Sequence, residues 1–180
     1  LDVSGLQDGQ ITVTVNGTND LHAVANEVQV TFTLEQMKPS LEARDTYLNP
    51  LYAAALDEVS VALPFNKAVT KPGGSTLGGE RIIWDEQDSA VQAWSGRVRV
   101  PAVADDVRSV PLVVKGFIDE AGNAGDETKM DRALAITPTI ELNALGNAYS
   151  GNASEYPVSG GSTRFEEGAE LTIEAKDESL

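Results

Sequence analysis

A chain of 180 residues, 41% hydrophobic and only 6% aromatic, is long enough for one full domain and parts of others but too short for two large ones. Its 28 Asp and Glu against 13 Lys and Arg leave a net charge of −15, which repels phosphate backbones and anionic lipid surfaces and makes divalent cations the natural counter-charge. Cysteine is absent, which excludes disulfides and zinc-thiolate sites, and no apolar run approaches the ~18 residues of a membrane span.

Leu1 falls mid-pattern, without an initiator methionine or a signal peptide, so the numbering is expected to start inside a longer polypeptide. Ile11, Val13 and Val15 then alternate with Thr12 and Thr14, the mark of a half-buried strand. Val28, Val30, Phe32 and Leu34 repeat that period of two. Asn16-Gly17 between them is a tight-hairpin signal, but the repeat described below sets Gly17 against Gly116, where a bulge at a strand end is the expected use. Further strands are predicted near 40–44, 58–64, 80–84, 95–101, 110–117 and 128–136, with a last one at Leu171–Ala175. Tyr52–Glu58 has helical propensity over only about two turns and is read as a turn before a strand. The glycine-rich Gly73–Gly79 is read as a mobile connection between the second and third strands of its unit. Trp84 is expected in the core, and Trp94 begins a strand on either face.

An internal repeat organises these elements. Pro39-Ser40-Leu41-Glu42 returns as Pro138-Thr139-Ile140-Glu141, an offset of 99 residues, and Val13, Val15, Gly17 and Asp20 fall on Leu112, Val114, Gly116 and Asp119 at the same offset. In the next strand the phase slips, because the apolar positions are even-numbered in both copies (Val30, Phe32, Leu34; Met130, Leu134, Ile136), which implies a one-residue bulge or gap. Residues 1–38 are therefore expected to be the closing strands of one unit, 39–137 a complete unit, and 138–180 the opening strands of a third. The stretch Asn143–Gly168 is expected to be an insertion in that third unit. A period of about 100 residues with seven short strands predicts an all-β fold of immunoglobulin-like β-sandwiches in tandem, not propeller blades or solenoid coils.

Two signatures resemble the immunoglobulin-like repeats of large bacterial biofilm-associated and type-I-secreted adhesins. One is Leu1–Val13, a strand-turn-strand built around Gly5-Leu6-Gln7-Asp8-Gly9; the other is the loop Asp119-Glu120-Ala121-Gly122-Asn123, preceded by Trp94–Val98 and its following strand. The first unit departs from the loop pattern, since Leu21-His22-Ala23-Val24 follows Asp20. The resemblance implies secreted cell-surface modules strung end to end, often with calcium at their junctions, that hold a terminal binding domain away from the cell.

Strand order places the acids. Alternate loops of a sandwich emerge at opposite ends, so Asp119, Asn123 and Asp126 are expected to meet Asp8 and Glu42 at a first junction, while Asp105 and Asp106 meet Glu141 and the start of the next loop at Asp177 and Glu178. Calcium takes six to eight oxygen ligands and binds extracellular modules at roughly 10⁻⁴ to 10⁻³ M, so partial sites of this kind suit it as a stiffening ion. The same residues also favour turns for backbone reasons alone. His22 is the only histidine and no Gly-x-Ser-x-Gly elbow is present, so no enzyme is expected. The expected partners are neighbouring repeats of the same chain and, through other domains, a host or matrix glycan or protein, with no nucleic acid and no direct membrane insertion. A glycan- or protein-binding sandwich and an accessory domain of a secreted hydrolase are the alternatives to a spacer. One physical problem follows from these boundaries: neither flanking part has enough strands to bury both sheets of a sandwich, so each is expected either to pack on the middle unit or to complete another molecule head to tail.

Overall fold

The computed structural model describes residues 1–146, 156–174 and 176. Among them run thirteen strands: β1 (Gly9–Val15), β2 (Val28–Leu34), β3 (Tyr47–Asn49), β4 (Tyr52–Ala53), β5 (Glu58–Val69), β6 (Thr76–Leu77), β7 (Glu80–Arg81), β8 (Ile83–Trp84), β9 (Val91–Arg99), β10 (Ser109–Val114), β11 (Thr128–Ile136), β12 (Thr139–Leu142) and β13 (Gly160–Thr163). No helix among these residues is long and apolar enough to cross a membrane.

Alternating side chains build the centre. Val59, Val61, Leu63 and Phe65 of β5 are buried while Glu58 and Ser60 face water, and β10 buries Val110, Leu112 and Val114 in the same way. Two sheets result, a four-stranded one in the order β3-β5-β9-β8 and a five-stranded one in the order β4-β11-β10-β6-β7. Their inner faces share one core, whose buried hydrophobic residues all lie between Leu48 and Ile136. Each fully buried Leu, Val or Phe contributes about 1.5–3 kcal/mol over its exposed state. At one end of this immunoglobulin-like sandwich, Phe65 and Phe117 pack with ring centroids 4.7 Å apart.

Several elements differ from the sequence expectation. Near 40–44 there is only a bridge, Leu41 to Phe65, followed by a 3-10 turn at Ala43–Asp45. The chain then serves both sheets in turn, β3 antiparallel to β5 and β4 parallel to β11, with Pro50, which has no amide to donate, between them. Tyr52–Ala53 of the helix-compatible stretch forms a strand, and the chain then turns through Leu56, at φ +72°, into β5 at Glu58. The glycine-rich stretch is paired, not a free connection: Gly78 and Gly79, at φ +59° and +92°, form the two-residue turn of a β6–β7 hairpin whose Leu77 is buried opposite Leu112. Trp94, not Trp84, is the fully buried indole; its Nε1 donates to Val69 O at 2.9 Å, and Trp84 packs edge-on against it from a half-buried position. The predicted strand at 171–175 is absent over 171–174, and Ala175 lies outside the described residues. Instead β12 pairs with β13, inside the expected insertion, of which 147–155 is likewise outside them.

The hairpins β1–β2 and β10–β11 repeat one another, and their registers locate the phase slip. Val15 pairs with Val28 and Val114 with Thr128, so the offset is 99 on the first strand and 100 on the second. The loops agree at 100: Asn19 N donates to Ala23 O as Asp119 N does to Asn123 O, and Ala25 N to Gly17 O as Gly125 N does to Phe117 O. The extra residue thus lies between Val114 and Phe117, where Gly116 stands at φ +76°, a conformation that glycine adopts without strain. The residue in the place of Asp119 is therefore Asn19, not Asp20, and Gly17 matches Phe117, not Gly116. A second irregularity in β11, between the pairs Leu112–Met130 and Val110–Leu134, shifts the offset again, so that Phe32 matches Leu134.

Candidate functional site

Two seams flank the sandwich. At the first, the segment Glu35–Lys38 follows β2 and runs along the loop that joins β10 to β11. Lys67 holds it there. The lysine continues the inward phase of β5 beyond Phe65, and its ammonium donates to the Glu35 carboxylate, to Met37 O at 2.6 Å and to Asp119 Oδ2 at 3.2 Å. Asp119 is almost wholly buried, yet each oxygen has a donor: Oδ1 accepts from Asn123 N at 2.8 Å, and Oδ2 from Asn123 Nδ2 at 3.0 Å and from Lys67. Asn123 also donates to Glu35 O at 3.1 Å, so the loop grips the linker backbone directly.

The charges respond to this packing. The hydrogen bond to Glu35, against a smaller cost of burial and with help from Asp119, raises the pKa of Lys67 above the ordinary lysine value. For Asp119, burial is the largest single influence and works to raise the pKa, but the hydrogen bonds from Asn123 and Lys67 together outweigh it and hold the carboxyl below its ordinary range.

On the other side of the linker, Asp8 accepts from Gln36 N at 2.9 Å and Met37 N at 3.1 Å, one amide to each oxygen. Asp8 therefore does reach the first seam, but through the linker amides. Asp126 pairs with Lys38 at 2.7 Å where both side chains are mostly in water, a contact of small weight. The expected meeting of Glu42 with these residues is not seen: its backbone amide donates to Pro64 O of β5, within the sandwich.

At the second seam the connection between β9 and β10 faces the segment after β13. Arg164, with a side chain 10% exposed, lies 3.6 Å from Asp105, and Arg108 donates to Phe165 O at 2.7 Å. Asp106 lines the same cleft. Glu141 sits on β12 opposite Gly161, and Asp177, with Glu178, is outside the described residues. Among the described residues no three carboxylate or imidazole side chains converge as a metal cluster.

The seams share a device. Ser40, the residue after Pro39, is bonded to Asn66, and Lys67 comes next; Thr139, the residue after Pro138, pairs with Thr163, and Arg164 comes next. In both, a basic residue one step past the linker's partner reaches an acid across the seam. Sequence reasoning missed Lys67, Arg108 and Arg164 because it looked for oxygen ligands alone, and it missed Glu35 because it placed no acid of the linker before Pro39 at the seam. The available signal was Lys67 itself, a charged residue on the inward phase of Val59, Val61, Leu63 and Phe65. The arrangement can fix the position of one segment against the next. No family model, curated protein or solved structure matches the chain.

Proposed function

We propose that this chain is a spacer segment of a tandem-repeat, extracellular bacterial surface protein, resembling the immunoglobulin-like repeats of large adhesins, in which each unit is fastened to the next. The observation that carries this reading is the Lys67–Glu35–Asp119 linkage, which ties the end of one β-hairpin to the loop of the next through a buried carboxylate. A spacer needs a core that resists opening and a junction that resists bending, and the sandwich and its first seam are suited to those two tasks. Residues 39–137 are the proposed complete unit, with 1–38 and 138–180 as parts of its neighbours.

Calcium belongs to this reading as a counter-ion of the acidic seams. Lys67 already stands between Glu35 and Asp119, so at the first seam a metal ion would have to displace an ammonium. The greater share of the stiffening is therefore assigned to the lysine.

Pulling the chain by its two ends in a force spectrometer tests the mechanical part. The expected trace has one dominant unfolding event that releases about 35 nm, from ~99 residues at roughly 3.6 Å each. A gradual release without a dominant event would contradict it. Protease treatment of intact cells that carry the native polypeptide tests the location: cleavage at the surface supports the reading, and full protection overturns it.

A further inference from the structure

The four-stranded sheet has a gap in its edge. In β9, Trp94, Gly96, Val98 and Val100 turn inward and are buried, so Ser95, Arg97 and Arg99 stand on the outward face. The short β8 flanks β9 only through the pairs Ile83–Arg97 and Trp84–Gly96. One step before Ile83 the chain belongs to the other sheet: buried Ile82 leads back to β7, where Arg81 pairs with Thr76 of β6. Arg99 therefore faces Glu58 of β5 on one side and, among the described residues, has no ladder partner on the other. A cleft of about 380 Å³ lies there, lined by Glu58, Ile83, Arg97, Val98 and Arg99. All of these residues belong to the central sandwich, and neither flanking part contributes to the cleft.

The lining combines an apolar wall with two cations. Ile83 is 70% exposed. Arg97 has one weak ion pair, 3.9 Å from Glu58 with both side chains mostly in water, and among the described residues Arg99 has none. The net charge of −15 does not cancel this pair of guanidinium groups, because at physiological salt exposed charges beyond about 8 Å are largely screened. The vacant place is one ladder position long, since the next position is filled by Ile83 itself. An extended chain that enters beside Arg99 and runs toward Ile83 must therefore stop there, and its last group lies next to the arginines.

We propose that this cleft receives the C-terminal residue of an extended partner peptide whose last side chain is apolar. The backbone of that residue takes the vacant place beside Arg99, as in strand addition at a sheet edge. Its carboxylate accepts hydrogen bonds from Arg97 and Arg99, and its side chain covers Ile83. Glu58 is the one opposing charge in the lining, and it weakens the site. The inference stands on the cleft alone and holds whether or not the chain is a spacer.

Titration of the ¹⁵N-labelled full chain with an acetylated five-residue peptide of threonine and valine, ending in valine with a free carboxylate, tests it. The amide signals of Ile83 and of Arg97 to Val100 should shift. The same peptide with an amidated end should bind about tenfold more weakly, and Arg97→Gln and Arg99→Gln should each weaken the free-acid peptide by a similar factor. Both arginines are exposed, so the variants should melt as the unaltered chain does. Glu58→Gln, which removes the competing acid, should tighten binding about twofold. No shift at millimolar peptide would overturn the proposal, as would shifts centred elsewhere or equal binding of the amidated peptide. So would undiminished binding by either arginine variant. Equal binding of a peptide blocked at both ends with an internal aspartate would also overturn it, because the cleft would then select a charge and not a chain end.

Discussion

The hairpins β1–β2 and β10–β11 have nearly the same backbone, with matched registers at one end and the same four-residue loop bonds, yet their side chains live in different surroundings. In β10–β11, Leu112, Val114 and Leu134 are wholly buried, while in β1–β2 only the partners Ile11, Val13, Phe32 and Leu34 reach even half-burial. The loops differ in kind as well. Asp119 accepts from Asn123 and from Lys67, whereas the Asn19 side chain accepts only from backbone amides and the Ala23 side chain has nothing to offer. Local sequence pattern therefore suffices to shape a hairpin, but it does not make it stable. Stability comes from the second sheet and from the side chains that fasten the loop.

The largest expected difference lies in matched core positions. Leu112→Ala should cost about 2–5 kcal/mol in chemical denaturation, because it leaves a cavity between the sheets. Val13→Ala at the matching place, where the side chain is only partly buried, should cost about 1 kcal/mol or less. Similar losses at both would mean that β1–β2 belongs to the same cooperative core.

A second contrast is at Phe117 and Gly125. A methyl group on Gly125 would overlap the Phe117 ring, so Gly125→Ala should destabilise the sandwich by about 1–3 kcal/mol. In the first hairpin the sizes are exchanged, Gly17 against Ala25, and Ala25→Gly should leave the melting temperature within a degree or so. A neutral Gly125→Ala would show that the loop moves freely away from the ring.

The seam should show the smallest change in global stability and the clearest local one. Lys67→Met should increase proteolysis and amide exchange at Glu35–Lys38 while the core melts almost as before. If calcium shares the task, millimolar calcium should restore protection to the variant more than it adds to the unaltered chain. A large gain in the unaltered chain would make calcium the principal fastener instead. The pH dependence has two sides. The raised pKa of Lys67 means that its contribution is complete below the ordinary lysine value near ~10.4 and is lost as pH climbs through the raised one. The lowered pKa of Asp119 means that its contribution is complete above the ordinary value near ~3.9 and is lost as pH falls through the lowered one. Linker protection should therefore be level between about pH 5 and 9 and fall beyond both ends. A loss centred near neutrality would point to a different pair of groups.

Much of the sandwich was legible because period-two alternation is imposed by the pleat: β2 and β11 match their predicted spans, and the inward residues of β5 and β10 were readable in advance. What escaped reading depends on φ angles and on distant partners. The 99-residue offset paired Asp119 with Asp20, because the left-handed Gly116 that shifts the loop by one residue has no signature beyond being glycine. The β6–β7 hairpin was hidden in glycines whose positive φ angles serve a turn. The sequence reading set Asp8, Asp119, Asn123 and Asp126 beside the first seam as acids for a metal ion, and it did not find the lysine that stands among them, because Lys67 lies beyond the predicted end of its strand.

Amide hydrogen exchange separates the two hairpins most directly. Leu112 and Val114 should exchange only on global unfolding, and Val13 and Val15, in matched hairpin positions, should exchange at least about 100-fold faster, a gap of roughly 2.7 kcal/mol. Equal protection of the two hairpins would contradict this order, because the first would then be held by something other than a second sheet.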